Sequence, residues 1–193
     1  EPVFSDFDLT GFFGALPFLP TGAQLSAVSE ATNDLRLGKP MNRLLQGDVG
    51  SGKTLVAMAL CFLAKKNGLQ AAVMAPTEIL ARQHFADFSA TLGPLGVRAA
   101  LLCARTPAKQ KNEIKKMAAQ GELDLLVGTH SLLNDEIVFK NLGLIVTDEQ
   151  HRFGVKQRQK LLGKAQNINC LVMSATPIPR TLGLIIYGDL DVS

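Results

Sequence analysis

Residues 47–54, GDVGSGKT, constrain the fold of this chain more than any other segment. They match the pattern G-x-x-x-x-G-K-[ST], in which glycines let the backbone turn back with its N–H groups pointing inward. A short apolar run, residues 41–46, precedes the segment, and residues 54–66 have helical character. A glycine-rich loop between a strand and a helix N-terminus binds phosphate groups. The sequence therefore predicts nucleotide contacts from Gly47, Gly50, Ser51, Gly52, Lys53 and Thr54.

The last two residues of the phosphate loop have separate predicted roles. Lys53 would reach the β- and γ-phosphates, and the Thr54 hydroxyl would ligate Mg²⁺. The alternative is a glycine-rich turn that matches the pattern by chance. The strand before the segment and the helix after it favour the phosphate-binding interpretation.

A second motif consists of two carboxylates that follow the apolar residues 144–147. In an open parallel sheet, ligands bind beyond the carboxyl ends of the strands. Asp148 is therefore predicted to hold Mg²⁺, and Glu149 to act as the general base that activates the attacking water. Two solvated carboxylates at a strand end are the alternative, and the preceding phosphate loop makes it the weaker one.

Short apolar runs alternate with helical segments along most of the chain. The runs are continuous rather than alternating, which favours a parallel sheet covered on both faces. The rhythm predicts an α/β doubly wound domain. The predicted strands are residues 41–46, 70–75, 98–103, 123–127, 142–147 and 169–173, and the predicted helices are 54–66, 77–92 and 107–120. Residues 1–25, rich in Phe, Pro and Gly, are predicted to be an irregular lead-in to a single domain at 26–193.

Composition excludes several classes of protein. The net charge of +3 is only a weak hint of nucleic-acid binding. Cysteines 61, 103 and 170 lack metal-ligand spacing and are predicted to be buried thiols in a reducing compartment. The histidines, at 84, 130 and 151, are dispersed, so no zinc site is expected. No membrane span or secretory leader is visible, and we expect a cytoplasmic protein. The start at Glu1 rather than Met indicates a fragment.

Further segments make the chain resemble the superfamily-two helicases, and most closely the RecG-type DNA helicases, from about residue 16 to 193. Residues 47–54 look like motif I in the form found in RecG-type helicases and in the related transcription-repair coupling proteins. The other segments are 76–84 (PTEILARQH, motif Ia), 128–133 (GTHSLL, motif Ib), 148–155 (DEQHRFGV, motif II), 173–182 (MSATPIPRTL, motif III) and 187–191 (YGDLD). The resemblance implies a RecA-like fold, ATP with Mg²⁺ as the nucleotide, and residues 26–193 as the first motor lobe.

The resemblance also implies roles for residues outside the two nucleotide motifs. Gln24 would contact adenine, unless it is simply a surface glutamine. The predicted DNA contacts are Thr77, Arg82, Thr129 and His130. A helix cap is the alternative for the threonines, and a solvated helix face for Arg82. The residues predicted to couple the nucleotide to DNA are His151, Arg152, Ser174 and Thr176; turn formation or a structural histidine are the alternatives.

Two partners implied by the resemblance have no counterpart in these 193 residues. A second RecA-like lobe would supply arginine fingers, and a wedge domain would recognise forked or branched DNA. We therefore expect the chain to bind nucleotide, to hydrolyse it very slowly alone, and to be monomeric. In the intact protein it would act as an ATP-dependent DNA helicase in recombination and repair.

Three other functions fit part of the sequence. A related motor in transcription-coupled repair or on RNA differs mainly at Gln150 and the GDLD ending, which favour the RecG type. A nucleotide-gated binding module without turnover would have no need of Glu149 as a base. A small-molecule kinase shares the phosphate loop but leaves the Ser174–Ala175–Thr176 segment unexplained.

Overall fold

The computed structural model describes residues 3–46, 52–129, 137–149, 168–174 and 191–192. The strands are β1 (Asn42–Gln46), β2 (Gln70–Met74), β3 (Ala99–Leu102), β4 (Leu125–Gly128), β5 (Leu142–Glu149), β6 (Asn169–Ser174) and β7 (Asp191–Val192). The helices are α1 (Thr10–Ala15), α2 (Gly22–Arg36), α3 (Lys53–Lys66), α4 (Glu78–Leu92) and α5 (Ala108–Gln120), with a 3₁₀ turn at Gly93–Leu95.

The described strands form one parallel sheet in the order β3-β4-β2-β5-β6-β1-β7. Helices α2, α3 and α4 pack on one face, where the larger apolar cluster lies. Helix α5 covers the other face together with residues 137–139. The predicted α/β fold, a mainly parallel sheet with helices on both faces, is confirmed. The continuous apolar runs have a physical cause, since the central strands are buried from both sides.

The helix after the phosphate loop is the centre of the larger cluster. Every residue from Leu55 to Ala64 is buried, so α3 is apolar on all sides rather than along one stripe. One side packs on the sheet, and α2 and the N-terminal segment cover the other. This double cover holds the first turn of α3 in a fixed place at the end of the sheet.

The prediction of an irregular lead-in at residues 1–25 is corrected. Helix α1 spans Thr10–Ala15, and α2 already begins at Gly22. Phe12 is fully buried and stacks on Phe62 of α3, with ring centroids 5.9 Å apart. The aromatic residues that made the segment look irregular are core residues, because α3 needs an outer cover. The division at residue 25 remains a prediction.

Two smaller expectations about the elements also differ from the structure. Strand β7 was not predicted, since two residues are too short for a pattern. In the sequence, Ile79, Leu80, Phe85 and Phe88 are apolar at helical spacing, which predicts that they share the buried face of α4, but Ile79 is 79% exposed. The buried stripe of α4 instead consists of Ala81, His84, Phe88 and Leu92.

The three cysteines are buried free thiols, as predicted. Burial raises the pKa of both the Cys61 and the Cys103 thiol, so neither is poised as a thiolate at neutral pH. Among the residues that the structure describes, no helix is long and apolar enough to cross a membrane.

Candidate functional site

The carboxyl ends of three neighbouring strands bring the sequence motifs together. In the register of the sheet, Ser174 of β6 is paired with Gln46 of β1 on one side and with Glu149 of β5 on the other. Gln46 is the residue before the phosphate loop, and Ser174 begins the Ser-Ala-Thr segment. The phosphate loop and the two carboxylates therefore start from the same edge of the sheet, as a parallel α/β sheet requires.

The helix that follows the phosphate loop begins at Lys53, with Gly52 as its N-cap. Gly52 has a φ of +90°, in the left-handed region that glycine adopts without strain. A Cβ at this position would also lie only 2.7 Å from Cγ of Gln24. The backbone and a neighbouring side chain both disfavour a larger residue here. The first N–H groups of a helix have no acceptor within the helix, so the start of α3 is suited to bind an anion.

Gln24 is held in a capping box at the start of α2. Its side-chain oxygen accepts a hydrogen bond from the backbone N–H of Thr21 at 2.8 Å, and the Thr21 hydroxyl accepts one from the N–H of Gln24 at 3.2 Å. This arrangement fixes the rotamer and brings Nε2 against Gly52. The amide nitrogen can donate to a base, and the oxygen keeps a second lone pair. The predicted contact with adenine fits this placement and remains a prediction.

A cleft of about 370 Å³ opens between the first turns of α3 and one side of α4. Five of the predicted site residues line it: Gln24, Gly52, Lys53, Thr54 and Asp148. Its volume lies within the range of small-molecule sites. A hydroxyl and a carboxylate are the oxygen ligands that Mg²⁺ prefers, so the residues present fit a magnesium nucleotide.

Asp148 makes a contact that the sequence did not predict. Its Oδ2 lies 2.6 Å from Nε2 of His84 on α4, and the side chains are 16% and 10% exposed. In the sequence, His84 is only the last residue of the motif Ia segment and one of three dispersed histidines for which no zinc site is expected. Its position on the buried stripe of α4 was the available signal. Leu16 and Phe18, which also line the cleft, were missed because the lead-in was read as irregular.

Two of the predicted DNA contacts lie near the start of α4. Thr77 is exposed and caps the helix, its hydroxyl accepting a hydrogen bond from the N–H of Leu80 at 3.2 Å. Arg82 is exposed and donates to Glu78 one turn earlier at 2.8 Å. These hydrogen bonds raise the pKa of the Arg82 guanidinium. Thr77 therefore acts as a helix cap and Arg82 lies on an exposed helix face, which are the alternatives to DNA contact. Contact of either residue with DNA remains a prediction.

The remaining predicted residues are placed only in part. Thr129 directly follows β4, next to the end of β2, and is buried, with an exposed fraction of 5%. Ser174 ends β6 and is also buried. Glu149 ends β5, and only its backbone is described. The predicted residues outside the described ranges are Gly47, Gly50, Ser51, His130, His151, Arg152 and Thr176.

Comparison with known proteins agrees with this arrangement. Residues 21–185 match the model of the DEAD/DEAH box helicase family. The ATP-dependent DNA helicase RecG of Aquifex aeolicus is 55% identical over 180 residues, which are 92% of this chain and 23% of that protein. RecG of Bacillus subtilis is 49% identical over 98% of this chain and 28% of its own length. The chain thus spans about a quarter of the length of these relatives.

A solved structure shows the same similarity in three dimensions. A RecG bound to a three-way DNA junction superimposes with a TM-score of 0.82 at 46% identity, over 94% of this chain and 24% of that one. The predicted RecA-like lobe and its resemblance to RecG-type helicases are confirmed. By sequence and by fold, the chain belongs to the DEAD/DEAH box helicase family.

Proposed function

We propose that this chain is the ATP-binding lobe of a DNA helicase motor that remodels forked and branched DNA in recombination and repair. The observation that carries the proposal is the cleft at the carboxyl end of the sheet. It is lined by the first turn of α3, by Gln24 and by Asp148. These groups are the ones needed to bind the phosphates, the base and the metal of Mg-ATP.

Each residue of the cleft has a defined task in hydrolysis. Lys53 would neutralise charge on the β- and γ-phosphates, and Thr54 and Asp148 would hold Mg²⁺. Mg²⁺, when bound there, would supply positive charge that offsets the negative charge of the phosphates. Glu149 would take a proton from the attacking water. The new bond from that oxygen to the γ-phosphorus forms as the bond to the β–γ bridging oxygen breaks, and ADP leaves.

The assignment of DNA as the partner is based on the relatives. They bear the name ATP-dependent DNA helicase RecG, and one is titled as bound to a three-way DNA junction. Because the chain spans about a quarter of their length, unwinding is proposed for the full-length protein rather than for this lobe. Hydrolysis in such motors takes place between two lobes, with arginine side chains from the second. The 193-residue chain alone is therefore proposed to bind nucleotide and to turn it over very slowly.

Thermal melting with and without Mg-ADP tests the nucleotide site, with Lys53→Ala as the control. Ligand at about 100 times its Kd stabilises a fold by roughly 2.7 kcal/mol, which is a shift of roughly 5–10 °C for a domain of this size. We expect this shift in the parent chain and not in the variant. If millimolar Mg-ADP changed the melting temperatures of the parent chain and of Lys53→Ala by the same amount, the cleft would not be the nucleotide site.

The DNA assignment needs a different measurement. Hydrolysis by the full-length protein is followed with a three-way junction, a linear duplex and a single-stranded RNA of equal length. The proposal expects the junction to stimulate most strongly. Stronger stimulation by RNA would indicate a motor that acts on RNA, with the nucleotide site unchanged.

A further inference from the structure

One contact at the site has no role in the chemistry derived above. His84 occupies the buried stripe of α4, and its side chain is 10% exposed. Nε2 lies 2.6 Å from Oδ2 of Asp148, the proposed magnesium ligand on β5. The ring also makes an edge-on contact with Phe88 one turn later, with centroids 6.0 Å apart and planes at 81°. The imidazole is therefore fixed by packing on one side and by the carboxylate on the other.

The two ring nitrogens of His84 have different surroundings. An ionised carboxylate only accepts hydrogen bonds, so toward the ionised form of Asp148 the donor of this bond is the N–H at Nε2. Nδ1 is buried, and no group in the described part of the chain forms a hydrogen bond with it. A buried polar atom without a partner opposes folding, and an apolar side chain would pack on this stripe without that disadvantage. The contact with Asp148 is the feature of His84 that packing does not explain.

A hydrogen bond of this kind restrains the carboxylate that accepts it. Asp148 is at the end of β5, where only its own side-chain torsions would otherwise determine how its oxygens are directed. The bond from His84 engages Oδ2 and leaves Oδ1 for a metal or a metal-bound water. Groups that hydrogen-bond to metal ligands in this way fix ligand orientation and contribute to metal affinity.

We propose that His84 is a positioning residue that orients the carboxylate of Asp148 for Mg²⁺ and thereby determines how strongly the metal increases nucleotide affinity. This inference depends on the proposed function, since it concerns the same cleft. The orienting group belongs to α4 rather than to β5. The orientation of the Asp148 carboxylate consequently depends on the position of α4 relative to β5.

The test measures the affinity of the chain for a fluorescent ADP with Mg²⁺ and with EDTA, and takes the ratio of the two affinities. His84→Phe keeps a ring against Phe88 but cannot donate to Asp148. His84→Gln keeps an N–H donor at a similar reach. Ser89→Ala is the matched control, because it changes a partly buried position on the same helix whose hydroxyl lacks a described partner. Lys53→Ala reports on the nucleotide site itself.

We expect His84→Phe to lower the ratio by about tenfold or more, the usual effect of removing such a group. His84→Gln should restore most of the loss, and Ser89→Ala should match the parent chain. A purely structural histidine would lower the melting temperature and leave the ratio unchanged, which would overturn the proposal. If the phenylalanine variant does not fold, His84→Asn gives the same comparison, because its amide nitrogen ends short of the Nε2 position.

The two proposals fail in different ways. If the parent chain binds ADP no better than Lys53→Ala, the nucleotide site is wrong and the role of His84 is lost with it. If the parent binds ADP and responds to Mg²⁺ but His84→Phe keeps the full response, only the role of His84 is wrong.

Discussion

The two edges of the sheet carry the same kinds of polar side chain in different surroundings. We call the ends at which the strands begin the amino edge, and the ends at which they finish the carboxyl edge. Asp124 lies at the amino edge, directly before β4, and Asp148 lies at the carboxyl edge of β5. Both are aspartates beside buried strands, so the sequence around them looks alike. Their partners show which one belongs to the fold and which one to a site.

Asp124 is surrounded by donors from the fold. It accepts hydrogen bonds from the backbone N–H of Arg98 at 2.8 Å and from the Arg98 Nε at 3.1 Å. Nζ of Lys65, at the end of α3, lies 3.1 Å away. The carboxylate is 7% exposed and joins the start of β3, the start of β4 and the end of α3. Such a group has no oxygen left for a ligand.

Gln70, the first residue of β2, shows the same pattern at the amino edge. Its amide nitrogen donates to the carbonyl oxygens of Ala118 and Leu123, and its amide oxygen accepts from the N–H of Asn141. The side chain is buried and fully used. At the carboxyl edge, by contrast, Asp148 lines an open cleft and is bonded to a histidine whose second nitrogen has no described partner. Unsatisfied polar groups around a cleft indicate binding, whereas satisfied networks indicate structure.

Loss of the Asp124 carboxylate should give the largest change in stability and leave the site intact. Asp124→Ala removes the shared acceptor of Arg98 and Lys65, including that of the Arg98 backbone N–H, and is expected to lower the free energy of unfolding by roughly 2–3 kcal/mol. Chemical denaturation measures this change, and the shift in melting temperature caused by Mg-ADP should persist. Loss of nucleotide binding in a folded Asp124→Ala protein would break the distinction between the two edges.

The stabilisation by Asp124 should also depend on pH in a defined direction. Burial by itself raises the pKa of Asp124, but hydrogen bonds from Arg98 and Lys65 outweigh it and bring the pKa below its ordinary value of 3.8. A carboxyl with a depressed pKa stabilises the fold above the unfolded pKa and loses this effect as the pH falls through the folded pKa. The difference in stability between the parent and Asp124→Asn should therefore be constant near neutral pH and shrink below pH 3.8. A difference that grows on acidification would contradict this account.

Alanine substitutions at two glycines would compare backbone strain at the two edges of the sheet. Gly52 at the carboxyl edge and Gly38 before β1 have φ values of +90° and +73°. Alanine at either site should cost about 1–2 kcal/mol, because the left-handed region is unfavourable for a side chain. Only at Gly52 would the new Cβ meet Gln24, whereas nothing lies within 4 Å at Gly38. We expect Gly52→Ala to weaken ADP binding as well, and Gly38→Ala to bind ADP as the parent does.

The capping box separates the structural and binding roles of Gln24. Thr21→Ala and Gln24→Ala each remove one half of the box and should each lower stability by about 1 kcal/mol. Only Gln24→Ala removes the amide beside Gly52. It should reduce the preference for ADP over GDP by roughly five- to tenfold, the value of about one hydrogen bond. Equal nucleotide preference in the two variants would leave Gln24 as a helix cap.

The smallest change in stability is expected at Arg82 on the exposed face of α4. Its ion pair with Glu78 lies at the surface, so Arg82→Gln should leave the melting temperature of the chain unchanged within error. If Arg82 contacts a DNA phosphate, the same change in the full-length protein should alter the salt dependence of DNA binding. The plot of the logarithm of the binding constant against the logarithm of the salt concentration should become less steep by about one unit. An unchanged slope would assign Arg82 to the helix face alone. Glu78→Gln, which removes the partner and keeps the arginine, is the matched control.

The sequence was sufficient for most of the sheet and for helices α3 to α5, because the signals for these elements are local. Continuous apolar runs fixed the strands of a parallel sheet, and six of the seven described strands lie within one or two residues of their predicted bounds. The phosphate loop and Asp148 were recognisable because each follows a strand at a fixed place. The lead-in was misread, since the burial of Phe12 depends on α3, which lies far along the chain.

Tertiary structure decided which polar residues are used by the fold and which are available to a ligand. The patterns of Asp124 and Asp148 differ only in whether the aspartate comes before or after its strand, and no local pattern joins His84 to a carboxylate 64 residues away. The sequence by itself determined six strands, helices α3 to α5, the family and the phosphate-binding motif, because those depend on neighbours along the chain. The hydrogen bond of His84, the placement of Gln24 against Gly52 and the network around Asp124 depend on packing between distant elements. Only the folded chain brings those atoms within bonding distance.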